Sequence, residues 1–258
     1  MKRVIAGSVV LAAAASLAVA DPFAGTFVRI GVCKDGGYGV NYNCPEFIQT
    51  PGLPAYDAAH GVMALPWSDY QGLDTVPSLE VREVSVADGK RVANRVLWSF
   101  GDSFDTARKI QKTNSPADIA RVTKQLVALA QPFDRALADA GYVPVPRCTS
   151  AEADATRLQP YCPGFEKWTC GDLQVAYNAK HTGVSVTVHG KTRTFDARGW
   201  KKPPLKMSGM AERVETENCI AGAVRVPGTD KIFIELAHSC TVSGDWCDAG
   251  GPTWQAVF

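Results

Sequence analysis

The chain has 258 residues, 46% apolar and 21% charged, enough apolar material for the core of one large domain or two small ones. A formal net charge of +1 without a basic run excludes an electrostatic grip on nucleic acid or an anionic membrane. No phosphate loop or dinucleotide fingerprint is present, because Asp35-Gly36-Gly37-Tyr38-Gly39 lacks a following helical pattern, and no cofactor is expected.

Residues 1–20 read as a secretory signal peptide. Lys2 and Arg3 form the basic start, an uncharged apolar run follows, and Ala18-Val19-Ala20 predicts cleavage before Asp21. Removing Lys2 and Arg3 from the 27 basic residues leaves 25 against 26 acidic ones. No later segment is long and apolar enough to span a bilayer, so a secreted or periplasmic product is expected.

All eight cysteines, Cys33, Cys44, Cys148, Cys162, Cys170, Cys219, Cys240 and Cys247, lie downstream of that signal. An even count in an oxidising compartment predicts disulfides. No metal site is expected, because zinc needs close cysteine pairs and the shortest gaps here, Cys162 to Cys170 and Cys240 to Cys247, are too wide. Cys33 and Cys44, remote from the others, form the best single pair; the remaining six stay unassigned.

From residue 21 the pattern predicts a β-rich region to 147: strands over 26–33 and 38–43, then a long Pro/Gly loop over 45–78 carrying Phe47, Tyr56, Trp67 and Tyr70. A hairpin follows, with Val81, Val84 and Val86 leading into Asp88-Gly89, which suits a type I′ turn. One long helix spans 116–140, with Ser115 as N-cap, Pro116 at N1, Gly141 at C′ and a stripe of Ile119, Val122, Leu126, Leu129, Phe133 and Leu137. Pro132 should kink or split it near Ala128. Residues 148–258 form a Cys-rich antiparallel region with hairpins at His189-Gly190 and Pro227-Gly228-Thr229-Asp230, and a last strand from Trp254. The fold class is α+β: antiparallel sheets with one helix between two β-rich halves, disulfide-stabilised, the halves forming one domain or two.

The sharpest local motif is Trp98-Ser99-Phe100-Gly101-Asp102-Ser103-Phe104 after a strand pattern. It resembles the first block of the GDSL (SGNH) hydrolases. That resemblance implies Ser103 as esterase nucleophile and, from the late block, His238 as base within Glu235-Leu236-Ala237-His238, with Glu in place of the family's Asp. The family's Gly-x-Asn-Asp block and parallel alternation are absent. A strand-to-helix turn with a capping side chain has the same composition.

His60 sits in the proline-rich loop, while His181 and His189 bracket a strand and lie too far apart to share a metal. Asp69, Asp74, Asp102 and Asp105 follow no calcium-loop pattern. Trp200, beside Lys201 and Lys202, and Trp246, between Cys240 and Cys247, lie in loop-like surroundings and are candidates for ligand contact. The expectation is a non-catalytic binding or envelope-associated protein, its partner unidentified, with a Ser103 hydrolase as the alternative.

Overall fold

The structure, a computed structural model, describes residues 22–31, 48–67, 78–99, 115–150, 167–177, 183–196, 215–242, 245–248 and 253–257, with a few positions between 101 and 109. In chain order the first strands are β1 (Phe23–Ala24), β2 (Arg29–Ile30), β3 (Ile48–Gln49), β4 (Ala55–Asp57), β5 (Val62–Trp67), β6 (Leu79–Ser85) and β7 (Arg91–Trp98). Helix α1 (Pro116–Asp139) follows, then β8 (Val143–Pro144), β9 (Thr149–Ser150), β10 (Lys167–Cys170), β11 (Leu173–Tyr177), β12 (Gly183–Val188) and β13 (Lys191–Asp196). The chain continues through β14 (Glu215–Arg225), β15 (Ile232–Val242), β16 (Asp245–Asp248) and β17 (Thr253–Val257). Among the described residues every pairing is antiparallel, and they are mostly β with one long helix.

Three larger sheets have the orders β7-β6-β5-β4-β8, β13-β12-β11-β10-β9 and β14-β15-β16, with β17 also on β15. They stack with α1 into layers joined by three apolar cores. The first lies between α1 and the β4–β8 sheet, using Val122, Leu126 and Leu137 against Leu79, Val81 and Trp98. The second joins the β4–β8 sheet to β14–β17 through Met63, Leu65, Val224 and Phe233. The third joins β14–β17 to the β9–β13 sheet through Ile232, Ile234, Leu236, Val175 and Val186. The β14–β17 sheet is thus covered on both faces and draws the two β-rich halves together.

Strands β6 and β14 each serve two cores. In β6 plain alternation suffices: Leu79 and Val81 enter the first core and Val84, on the opposite face, packs against the second, while the register shifts against β7 leave the extra residues in β7. In β14 the shift around Ala221 sends Ile220 and Ala223 to the third core and Val224 to the second.

The helix ends where its sequence dictates. Ser115 has extended backbone at the N-cap, and Pro116 occupies the first turn. At the other end Gly141 takes φ 83°, with Tyr142 N–H donating to Leu137 O and Gly141 N–H to Ala138 O, a Schellman closure. The helix runs as one element through Pro132. Its buried stripe uses Ala130 where the sequence pattern favoured Leu129, which is 40% exposed at the flank. Asp134, on the same helix, accepts backbone N–H groups from Thr26, Phe27 and Val28 at 3.1, 2.6 and 2.9 Å.

Two expectations are corrected. The predicted loop over 45–78 contains β3, β4 and β5; Val62–Trp67 escaped notice because both its faces are buried, which erases the alternation. Pro66 is accommodated there because β4 ends its pairing at Ala55–Ala64. The Asp88-Gly89 turn is not type I′, since Gly89 alone has positive φ and Asp88 accepts the Lys90 N–H instead. His189-Gly190 has φ 50° and 75° and is the true two-residue I′ turn.

Candidate functional site

Residues Val145 to Cys148 cross between sheets and are pinned at both ends: Val145 N–H donates to Pro54 O, and Cys148 N–H to Ala223 O, each at 2.9 Å. Between those anchors stands Arg147. Its Nη1 donates to the Glu235 carboxylate, and its guanidinium lies over the Trp254 ring, 5.4 Å from the centroid. Trp254 is itself fixed by its Nε1–H on Pro66 O at 2.8 Å. Glu235 is only 7% exposed, and Gly222 faces it across β14 and β15. A Cβ at Gly222 would lie 2.8 Å from Glu235 Oε2 and 2.9 Å from Arg147 Nη1, so glycine makes room for the pair. Among the described residues Nε and Nη2 of Arg147 have no partner.

Facing this segment is the turn after β14. All three nitrogens of Arg225 are engaged: Nε donates to Thr229 O at 2.8 Å, Nη1 to Asp172 Oδ1 at 2.6 Å and Nη2 to Asp230 Oδ1 at 2.6 Å. His189 Nδ1 lies 2.6 Å from the other oxygen of Asp172. The Arg225 hydrogen bond, helped by the nearby His189 charge and opposed by partial burial, holds the Asp172 carboxyl below the usual aspartate range. Burial works against the Arg225 charge, but its two carboxylate partners raise its pKa further.

Between the two walls runs a groove of about 800 Å³, lined among others by Val145, Pro146, Arg147, Thr149, Arg225 and Pro227. The Cys148–Cys170 disulfide braces it, its Cα atoms 4.6 Å apart, one step beyond the Thr149–Thr169 pair. Thr149 Oγ1–H donates to Thr169 O at 3.3 Å, tying the same strands. The charges in these walls neutralise one another, and the spare Arg147 N–H groups are what the groove offers an incoming acceptor.

Ser103, Trp200, His181, Cys33, Cys44 and Cys162 lie outside the described residues. The start of the Gly-Asp-Ser motif is described: Ser99 Oγ donates to Asp102 Oδ2 at 2.5 Å and accepts Asp102 N–H at 3.1 Å, a capping arrangement at a helical turn. His238 stands within β15 opposite Asn218, and Glu235, its counterpart in the hydrolase-like block, is bound to Arg147. Trp246 is not in a loop; it belongs to β16, opposite Thr241, and Cys240 stands opposite Cys247 in the same ladder. Cys219 pairs with Ala237 in the β14–β15 register.

His60 does have a partner, its Nδ1 lying 2.5 Å from Asp57 Oδ2. Burial opposes the Asp57 charge, but hydrogen bonds from the His60 ring and from the Ala59 and His60 amides prevail and lower its pKa. No group of three potential metal ligands is assembled among the described residues.

Arg147, Gly222 and Arg225 went unnoticed in the sequence because each acts through a partner distant along the chain. The one available signal was a glycine inside a strand pattern, at 222. In comparisons with known proteins, no family model, no curated protein and no solved structure matches the chain.

Proposed function

We propose that the chain is exported by its amino-terminal signal and acts outside the cytoplasm as a disulfide-stabilised, non-catalytic binding protein, with the groove beside Cys148–Cys170 as its binding surface. The observation that carries this reading is the groove's construction. Both arginines in its walls are locked by carboxylates, its lining mixes prolines, valines and threonine hydroxyls, and a disulfide braces it. Such a surface is pre-organised for recognition rather than for moving protons.

The ligand that fits is an extended peptide. Its carbonyls would meet the spare N–H groups of Arg147, and its side chains the Val145, Pro146 and Pro227 wall. This reading is preferred to a Ser103 hydrolase because Glu235 is committed to Arg147 and Ser99–Asp102 supplies a capping role for the Gly-Asp-Ser turn.

Peptides selected from a random library on the mature, oxidised chain test it. They should lose at least tenfold in affinity for Thr149→Trp, which fills the groove from an exposed position. Selected peptides indifferent to that variant would refute the assignment of the groove. A fluorophosphonate probe that labels Ser103 would refute the non-catalytic reading.

A further inference from the structure

A second concavity lies beyond Asp230, on the other side of the same turn, between the β12–β13 hairpin and strands β15 and β17. Its volume is about 310 Å³. The register of β12 and β13 pairs Val184 with Phe195, Val186 with Arg193 and Val188 with Lys191. Residues that pair directly share a face of the sheet, so Lys191 and Arg193 stand on the face that carries buried Val184 and Val186. The opposite face carries the hydroxyl pairs Thr187–Thr192 at 2.8 Å and Ser185–Thr194 at 3.4 Å. In β13 the threonines face outward and Phe195 faces the apolar side, as in an ordinary half-buried hairpin, but the other two positions on the apolar side hold cations.

The floor of this pocket is apolar, made by Val186, Val188, Phe195, Ile232 and Val257. Lys191 and Arg193 stand exposed at its rim, and among the described residues neither has a carboxylate partner. The one acidic residue of the lining, Asp230, is held by Arg225 Nη2 at 2.6 Å. His189, also at the rim, turns its Nδ1 to Asp172. Two cations over an apolar floor, with the neighbouring carboxylates spent on other partners, form an unbalanced site.

We propose that this pocket binds a small amphiphilic anion: an apolar chain on the valine and phenylalanine floor, and a carboxylate head between Lys191 and Arg193. The Arg193 fork suits a carboxylate, and the long stems of both side chains extend the apolar wall toward the head group. A volume at the lower end of the roughly 300–1,000 Å³ that ligand pockets span selects a medium-length chain over a full lipid. This site is separate from the peptide groove and stands or falls without it. The competing role for inward-pointing charges on β13, the edge strand of its sheet, is to deter strand addition by another chain.

Titration of the mature, oxidised chain with octanoate, followed by the NMR signals of the Val186 and Val188 methyls and the Phe195 ring, tests the proposal. Octanoate should bind saturably and shift these signals, acetate should not, and octyltrimethylammonium should bind at least tenfold more weakly than octanoate. Lys191→Gln with Arg193→Gln, both at exposed side chains, should weaken octanoate at least tenfold while leaving the far-UV circular dichroism unchanged. No shift with octanoate, equal binding of the cationic analogue, or an unaltered affinity in the double variant would overturn it. So would a double variant whose sole defect is self-association, because the charges would then only guard the edge.

Discussion

Arg147→Ala tests the ion pair at the junction of the sheets. The substitution leaves the Glu235 carboxylate, 7% exposed, facing Gly222 and the Trp254 ring without its cation. Breaking a buried pair by removing one partner costs about 3–5 kcal/mol, and the Arg147 side chain is 39% exposed, so water entering from the groove reduces this to about 2 kcal/mol. Loss of the stacking on Trp254 adds about 0.5 kcal/mol. For a chain of this size a loss near 2.5 kcal/mol lowers Tm by about 5–10 °C. Thermal unfolding at pH 7, followed by circular dichroism, reads it directly. Adding Glu235→Gln in the same chain removes the stranded charge and should recover more than half of the loss. The reasoning fails if Arg147→Ala melts within 1 °C of the parent, or if the double variant is no more stable than the single one.

Two further measurements bear on the same region. Because Asp172 has a folded pKa below the ordinary 3.8, its bond to Arg225 stabilises the fold above that value, and the contribution disappears as pH falls through the lower folded pKa. An NMR titration should therefore place the Asp172 midpoint below 3.8 in the parent chain and higher in Arg225→Gln; equal midpoints would discard the pairing. Replacing Cys148 and Cys170 together by alanine removes a link between positions 22 apart in sequence, and should cost about 3 kcal/mol in urea unfolding, with a change below about 1 kcal/mol contradicting the bracing role.

What the sequence disclosed was whatever is written locally. The α1 boundaries followed from Pro116 and Gly141, each of which acts within one turn of itself; Ser115 stands at the N-cap with extended backbone but makes no side-chain capping bond. The hairpins at 189–190 and 227–230 followed from turn residues set between alternating strands. Strand β5 was hidden because burial on both faces makes Val62 to Leu65 a continuous apolar run inside a proline-rich stretch. The groove was hidden for another reason. Arg147 meets Glu235 across 88 residues and Arg225 meets Asp172 across 53, and no local pattern encodes such a meeting. Asp134 illustrates the same limit, since on the helix it is one more polar residue until the amides of residues 26–28 arrive from 106–108 positions away.

The two-sided burial of β15 has a consequence for how faithfully this protein assembles. Ile232, Ile234 and Leu236 enter one core while Phe233 and Glu235 turn toward the other side. Sliding β15 by a single position would exchange these sets, thrust an acidic group into an apolar layer and strip it of its arginine. A lone carboxylate in the middle of an oily strand thus acts as a proofreading mark, penalising the misaligned sheet far more heavily than any missing methyl group would.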